Sequence, residues 1–139
     1  MSEALLDSNV LIYALTDAPA ERAKRERARQ LLAEEDYGTS YQILMEVWVV
    51  ATRKMRTTVA PEKVVAFLER IATRPVAPGT PGLWRDAVRL AARFQIHPYD
   101  AAILAAAREL GATRVYSEDL AHGQDYDGVT VINPFKETA

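Results

Sequence analysis

The pattern of apolar and polar residues along the chain predicts short strands separated by helices. Short apolar or β-branched runs bounded by turn residues predict strands at 3–6, 37–40, 114–117 and 129–132, with at most a brief further strand around Val76. Segments with helical periodicity predict a short helix after the Asp-Ser-Asn at 7–9 and longer helices at 20–34, 41–55, 61–73, 83–95 and 99–110. Strands that alternate with helices predict an α/β fold, a three-layer α/β/α sandwich with a short central parallel sheet.

Two local predictions accompany this scheme. In the helix at 83–95, apolar residues at helical spacing predict a core-facing stripe of Trp84, Ala87, Val88 and Ala91. After the strand at 114–117, the sequence DLAHG is predicted to form a helical turn, and Asp127-Gly128 is predicted to form a tight turn before the last strand.

Length and composition support a single domain over residues 1–139, because 139 residues with 49% hydrophobic content can bury an ordinary core. The absence of cysteine excludes disulfides, thiolate zinc sites and cysteine nucleophiles, and is typical of a reduced compartment. No apolar run approaches the roughly 18 residues of a membrane span, and Glu3 stands where a signal peptide would be basic. A cytoplasmic protein without a membrane partner is therefore expected.

Four acidic residues lie within or beside apolar segments of the chain: Asp7, Glu46, Asp100 and Asp119. A buried ionised carboxylate without a counter-charge costs several kcal/mol, so a bound divalent metal is a candidate partner for this set. Three of the four have a structural alternative, because each could cap or flank the first turn of a helix. Glu46 is harder to explain in that way, since its helical neighbours at three and four residues include no cation.

Carboxylates that follow strands of a parallel sheet gather at one edge of it, so the four acids are expected to converge there. Mg²⁺ and Mn²⁺ prefer oxygen ligands, and a metal-activated water can hydrolyse a phosphodiester. Other chemistries lack their residues: the two histidines, His97 and His122, suit neither a catalytic triad nor a zinc site, and no glycine-rich nucleotide-binding loop occurs.

These residues resemble a known family. The resemblance is carried by Asp7-Ser8-Asn9 after the first strand, Glu46 in the third helix, Asp100 in a Tyr-Asp-Ala helix start, and the stretch YSEDLAHGQ followed by VTVINPF. In these features the chain is similar to PIN-domain ribonucleases, and more narrowly to the VapC toxins of bacterial toxin–antitoxin pairs. The resemblance implies a PIN-like α/β/α domain that binds Mg²⁺ or Mn²⁺ and cleaves RNA endonucleolytically.

By the same resemblance, Asp7, Glu46, Asp100 and Asp119 would be the catalytic and metal-binding acids, with Asp7 and Asp100 the surest metal contacts. Ser117 matches a supporting hydroxyl, and Asn9 matches a polar residue behind the acids. The family also implies a homodimer silenced by an antitoxin of VapB type, whose C-terminal segment lies across the active-site groove.

Basic residues crowd two segments of a chain whose net charge is −2. The first cluster, at 22–29, is interpreted as a solvated helix face. In the second cluster, Arg53 is expected on the helical face of Glu46 with Lys54 and Arg56 beside it, so this rim is predicted to bind RNA phosphates. The aromatic residues nearby could stack on bases but are expected to pack in the core, namely Tyr41, Trp48 and Tyr99.

Two other functions remain open at this point. A metal-dependent phosphatase acting on a small phosphoester could use the same acidic pocket, although the haloacid-dehalogenase type would need a second aspartate where Ser8-Asn9 stands. A non-catalytic, Mg²⁺-binding, receiver-like switch would need paired acids and a late lysine, and no lysine occurs between residues 64 and 135.

Overall fold

A computed structural model describes residues 1–55 and 58–136 and contains one six-stranded sheet. The strands are β1 Ala4–Leu6, β2 Tyr37–Ser40, β3 Val76–Ala77, β4 Arg114–Tyr116, β5 Asp125–Tyr126 and β6 Val129–Ile132. Their order in the sheet is β3-β2-β1-β4-β6-β5, and every neighbouring pair is parallel except β5 and β6, which are antiparallel. The predicted α/β fold with a central, mostly parallel sheet is confirmed, and the antiparallel edge strand β5 is an addition to it.

Six α-helices flank the sheet within the described residues: α1 Ser8–Leu15, α2 Arg22–Glu34, α3 Tyr41–Val49, α4 Pro61–Ile71, α5 Pro81–Phe94 and α6 Pro98–Glu109. A 3₁₀ turn at Pro19–Glu21 precedes α2, and a π-helical turn at Val50–Lys54 follows α3. The single helix predicted over 41–55 is therefore interrupted. Because a π turn holds more residues than an α turn, side chains beyond Val50 leave the rotational register of α3. None of the helices in the described part of the chain is long and apolar enough to cross a membrane.

The central strands bring their carboxyl ends to one edge of the sheet. Buried residues fill β1 completely, and Val115 and Val131 of β4 and β6 are fully buried, as in parallel strands covered on both faces. Leu6 pairs with Tyr116, so the residues that follow β1 and β4 emerge side by side. This register, which joins segments far apart in the sequence, positions the candidate site.

One local prediction was wrong and another was right only in part, since Ala87 and Ala91 of the predicted α5 stripe do pack in or against the core. Residues 119–123 form bends and turns without a helix, because the chain instead turns back into the hairpin of β5 and β6, where the predicted turn at Asp127-Gly128 is confirmed by positive φ angles of 53° and 97°. In α5, Trp84 and Val88 are 65% and 47% exposed, whereas Ala87 and Leu90 are buried. Helix α5 carries two apolar stripes, and packing against α6 selects the one that contains Leu90.

The basic cluster of α2 is a solvated face only in part. Arg25 donates to the carbonyls of Thr16 and Ala18, and Arg29 donates to the carbonyl of Ala14. These carbonyls lie at and just beyond the end of α1, where helix carbonyls lack partners within the helix. Lys24 and Arg27 are half-buried and also bond to residues outside α2. The solvated interpretation holds best for Arg22, which pairs with Glu26 on the surface, while Arg29 is exposed as well as bonded to α1.

Candidate active site

The centre of the candidate site is the side chain of Asp7, which follows β1 and is only 6% exposed. Its Oδ1 accepts a hydrogen bond from the backbone N–H of Ser8 at 2.7 Å, so Asp7 is the N-cap of α1. Its Oδ2 accepts from the hydroxyl of Ser117 at 2.7 Å. The capping role does not exclude a functional role, because both carboxylate oxygens keep further lone pairs.

A network of polar contacts joins Asp7 to the residues that follow β4. The amide of Asn9 donates to Ser117 Oγ at 3.3 Å and to Asp119 Oδ2 at 3.1 Å. Ser117 Oγ also accepts the backbone N–H of Asp119 at 3.1 Å, while Asn9 Oδ1 accepts the N–H of Glu118 at 3.3 Å. Ser117 is fully buried, and its one proton points to Asp7 because both of its lone pairs are engaged.

The pKa of Asp7 is raised from 3.8 to about 6, mainly by burial and also by the charges of Glu46 and Asp119, while the hydrogen bonds from Ser117 and Ser8 act to lower it. None of the salt bridges among the described residues involves Asp7. The structure therefore places a desolvated carboxylate beside two other acids. Such an arrangement favours either a proton or a bound cation.

The four acids differ in their surroundings. Only Asp7 is buried; Glu46 of α3 and Asp119 are exposed, and Asp100 in the first turn of α6 is half-buried. The burial implied by the apolar flanking sequence is therefore found for Asp7 and in part for Asp100, but was wrong for Glu46 and Asp119. The charges that contribute most to the raised pKa of Asp7 are those of Glu46 and Asp119. The charge of Asp100 adds to burial in raising the pKa of Tyr126.

The carboxylate oxygens of the site suit a hard cation, although the protein side chains do not form a complete coordination shell. Within residues 1–55 and 58–136, no three acidic or histidine side chains lie close enough together to hold a metal ion. Mg²⁺ keeps several of its waters and commonly binds only one or two carboxylates. Asp7, with Glu46 or Asp119 beside it, meets that requirement, and the uncompensated charge of Asp7 favours the ion.

The predicted nucleic-acid contacts are only partly located. Arg53 and Lys54 are exposed in the π turn, and Arg56 lies outside the described residues. The argument that placed Arg53 on the face of Glu46 assumed a continuous α-helix, and that assumption was wrong. Of the aromatic residues, Tyr41 and Tyr99 are 59% and 70% exposed, so the prediction that they pack in the core was also wrong.

Both histidines accept hydrogen bonds from nearby backbone N–H groups. His97 caps α6, with Nδ1 accepting the N–H of Tyr99 at 3.2 Å, and His122 Nδ1 accepts the N–H of Asn133 at 2.9 Å. Three further residues beside the site gave no sequence signal. Glu118 contacts Tyr13 and Lys24, which are 105 and 94 positions away, so only the fold brings them together.

Comparison with known families decides what kind of domain this is. The model of the PIN domain matches residues 4–124. The chain belongs to the PIN-domain family. No curated protein matches the sequence of this PIN domain significantly.

Solved structures resemble this PIN domain over most of its length. A toxin–antitoxin complex from Klebsiella pneumoniae is 22% identical, with a TM-score of 0.67 over 94% of this chain and 97% of that one. DNA-bound VapBC from Salmonella typhimurium is 23% identical, with a TM-score of 0.64 over 94% and 97%. VapC20 of Mycobacterium tuberculosis, described as a toxin that cleaves the sarcin-ricin loop, is 20% identical, with a TM-score of 0.65 over 82% and 88%. At these identities the likeness is one of fold.

Proposed function

We propose that this protein is a metal-dependent endoribonuclease, the VapC-type toxin of a toxin–antitoxin pair, and that residues 1–139 form one such nuclease domain in the cytoplasm. The observation that carries the proposal is the buried carboxylate of Asp7, which lies near two other acids and forms no salt bridge within the described part of the chain. The PIN-domain match and the toxin–antitoxin complexes among its structural neighbours support the substrate and the biological role.

In this proposal, Asp7 holds Mg²⁺ or Mn²⁺ with Glu46 or Asp119 as the second carboxylate, and Asp100 completes the acidic set. The cation would supply Lewis acidity that activates water and neutralises charge at the scissile phosphate. Ser117 fixes one oxygen of Asp7 by its 2.7 Å hydrogen bond, which leaves the remaining lone pairs for the ion. Asn9 holds Asp119 by its side-chain amide, so both acids keep a defined orientation.

Arg53, Lys54 and Arg56 are proposed to bind RNA phosphates along the approach to the acids. Arg53 and Lys54 are exposed and positively charged, which suits backbone contacts that carry no sequence information. Binding through such contacts weakens as salt concentration rises, because bound counterions are released when the complex forms.

The experiment that tests the activity compares the wild type with Asp7→Asn and with Asp17→Asn, a matched control at an exposed position nearby. Each purified protein, free of any partner, is incubated with total RNA and Mg²⁺ or Mn²⁺, with and without EDTA. Cleavage by the wild type and the control, abolished by EDTA and by Asp7→Asn, supports the proposal. Cleavage that survives both treatments refutes it, and hydrolysis of p-nitrophenyl phosphate with intact RNA would indicate a phosphatase instead.

The proposed protein partners are an antitoxin of VapB type and a second copy of the chain. Exposed apolar residues on α5 and at the start of α6 line a cavity of about 630 Å³, including Trp84, Val88 and Tyr99. Exposed patches of this kind commonly mark protein interfaces. Light scattering of the purified chain, with Trp84→Ser as the variant, tests the homodimer; a wild type that stays monomeric at high concentration contradicts it.

A further inference from the structure

The loop that follows β4 is held from two sides. On its inner side, Ser117 and Asp119 join Asp7 and Asn9 in the network of the candidate site. On its outer side, Glu118 Oε1 accepts the hydroxyl proton of Tyr13 at 2.6 Å, and Glu118 Oε2 accepts Lys24 Nζ at 3.0 Å. Lys24 Nζ also donates to the hydroxyl oxygen of Tyr13 at 3.1 Å, so the three side chains form a closed triangle.

The ammonium group of Lys24 is fixed by more than these hydrogen bonds. It lies 4.8 Å from the ring centre of Tyr13 and 5.6 Å from that of Phe135, which is within the range of cation–π attraction. The two rings contact each other edge to face at 5.0 Å. Three residues further along α2, Arg27 donates to the carbonyl of Pro134 at 3.2 Å. Helix α2 therefore holds both the loop after β4 and the segment after β6.

This arrangement has a consequence for the site, because the hydrogen bonds of three consecutive residues fix opposite directions for their side chains. With Glu118 directed outward to Tyr13 and Lys24, the side chains of Ser117 and Asp119 on either side of it are directed inward to Asp7 and Asn9. The ion pair with Lys24 also offsets the charge of Glu118, so this acid does not compete with Asp119 for a cation. The triangle thus selects which acid of the Ser-Glu-Asp sequence faces the site.

We propose that Tyr13 and Lys24 are positioning residues of the nuclease site, which act through Glu118 to hold Asp119 toward Asp7 for metal binding. The inference rests on the proposed metal-dependent activity. It assigns a function to two residues of α1 and α2 that do not contact the acids of the site themselves.

The test uses Tyr13→Phe and Lys24→Met, with Lys24→Arg as the charge-conserving variant and Arg22→Met as the matched control. Arg22 lies on the same helix and forms an exposed ion pair with Glu26, so its replacement removes a cation without touching the loop. Tyr13→Phe removes a single oxygen atom and keeps the ring, so the fold is expected to persist.

The first measurement is the Mn²⁺ concentration that gives half-maximal RNA cleavage. Tyr13→Phe and Lys24→Met are expected to raise it about tenfold, which is typical when support for a metal-binding side chain is lost. Cleavage should return to near the wild-type rate at saturating Mn²⁺, with KM for RNA unchanged, and Lys24→Arg and Arg22→Met should behave like the wild type. An unchanged metal requirement, or a loss of rate that saturating Mn²⁺ does not restore, would show that the two residues serve only the stability of the fold.

The second measurement needs neither metal nor RNA. Hydrogen exchange of the backbone amides of Glu118 and Asp119, which donate to Asn9 and Ser117, should accelerate about tenfold in Tyr13→Phe and Lys24→Met, while the amides of α5 keep their rates. Unchanged exchange at these two amides overturns the positioning role. If exchange accelerates but even the wild type neither binds Mn²⁺ nor cleaves RNA, the proposed function fails while the loop contact stands.

Discussion

The buried carboxylate of Asp7 makes a specific prediction about stability and pH. Below pH 3.8 this group is protonated in both the folded and the unfolded chain. Between pH 3.8 and about 6 the folded chain keeps a proton that the unfolded chain has lost, so the free energy of unfolding falls as the pH rises. Above about pH 6 the Asp7 carboxyl group is ionised in both states, and the free energy of unfolding no longer changes through this group.

The size of this loss follows from the difference between the two pKa values. At about 1.4 kcal/mol per pH unit, a change from 3.8 to about 6 lowers the free energy of unfolding by about 3 kcal/mol. For a chain of 139 residues, that corresponds to a fall of roughly 10 °C in melting temperature. The metal-free protein is therefore expected to lose stability toward neutral pH through this one group.

Asp7→Asn isolates the contribution, because asparagine does not titrate. Its Oδ1 can still accept the N–H of Ser8, but its amide would meet a Ser117 oxygen that already accepts two hydrogen bonds. The variant should thus be less stable than the wild type at pH 4, by about 1–3 kcal/mol for the lost bond. By pH 8 the wild type's advantage should have fallen by about 3 kcal/mol.

The assay is urea unfolding in EDTA at pH values from 4 to 8, with Asp17→Asn as the control that should follow the wild type. A second series adds Mn²⁺ at pH 8. The ion should stabilise the wild type and the control, because the folded protein binds it, but not Asp7→Asn, which lacks a metal ligand. Parallel pH curves for the wild type and Asp7→Asn would refute the claim that Asp7 is an uncompensated buried acid. Equal stabilisation of all three proteins by Mn²⁺ would exclude Asp7 as a ligand.

Three further predictions concern two neighbours of Asp7 and the proposed phosphate-binding residues. Glu46→Gln should lower the pKa of Asp7, because one of the two nearby negative charges is removed; carbon-13 titration of the Asp7 carboxyl group checks this, and an unchanged midpoint contradicts it. Ser117→Ala should raise the same pKa and cost about 1–3 kcal/mol in urea unfolding, because a buried hydrogen bond to Asp7 is lost. Arg53→Gln and Lys54→Gln should each reduce the salt dependence of RNA binding by about 0.7 in the log–log slope, and an unchanged slope would exclude a phosphate contact.

Much of the fold could be predicted from local sequence because it depends on near neighbours. Strand β2 and the start of α4 at Pro61 were predicted within a residue, since turn residues and proline act on the adjacent backbone. Asp7 as a helix cap was open to prediction for the same reason. The core-facing stripe of α5 could not be predicted in the same way, because two apolar stripes fit the helical periodicity and contact with α6 decided between them.

The candidate site divides in the same way. The types and order of its acids are visible in the sequence, and they were sufficient to suggest a hard metal and a nuclease family. The tertiary structure decided which acid is buried and which acids lie near it. It also decided that Lys24 contacts the loop after β4. Asp7 and Ser117 are 110 positions apart, and they meet only because β1 pairs with β4 in a register that places Leu6 opposite Tyr116. The local sequence pattern does not predict such pairing. The burial of Asp7 and the effect of its charged neighbours therefore could not be predicted either, because both depend on distances between residues far apart in the sequence.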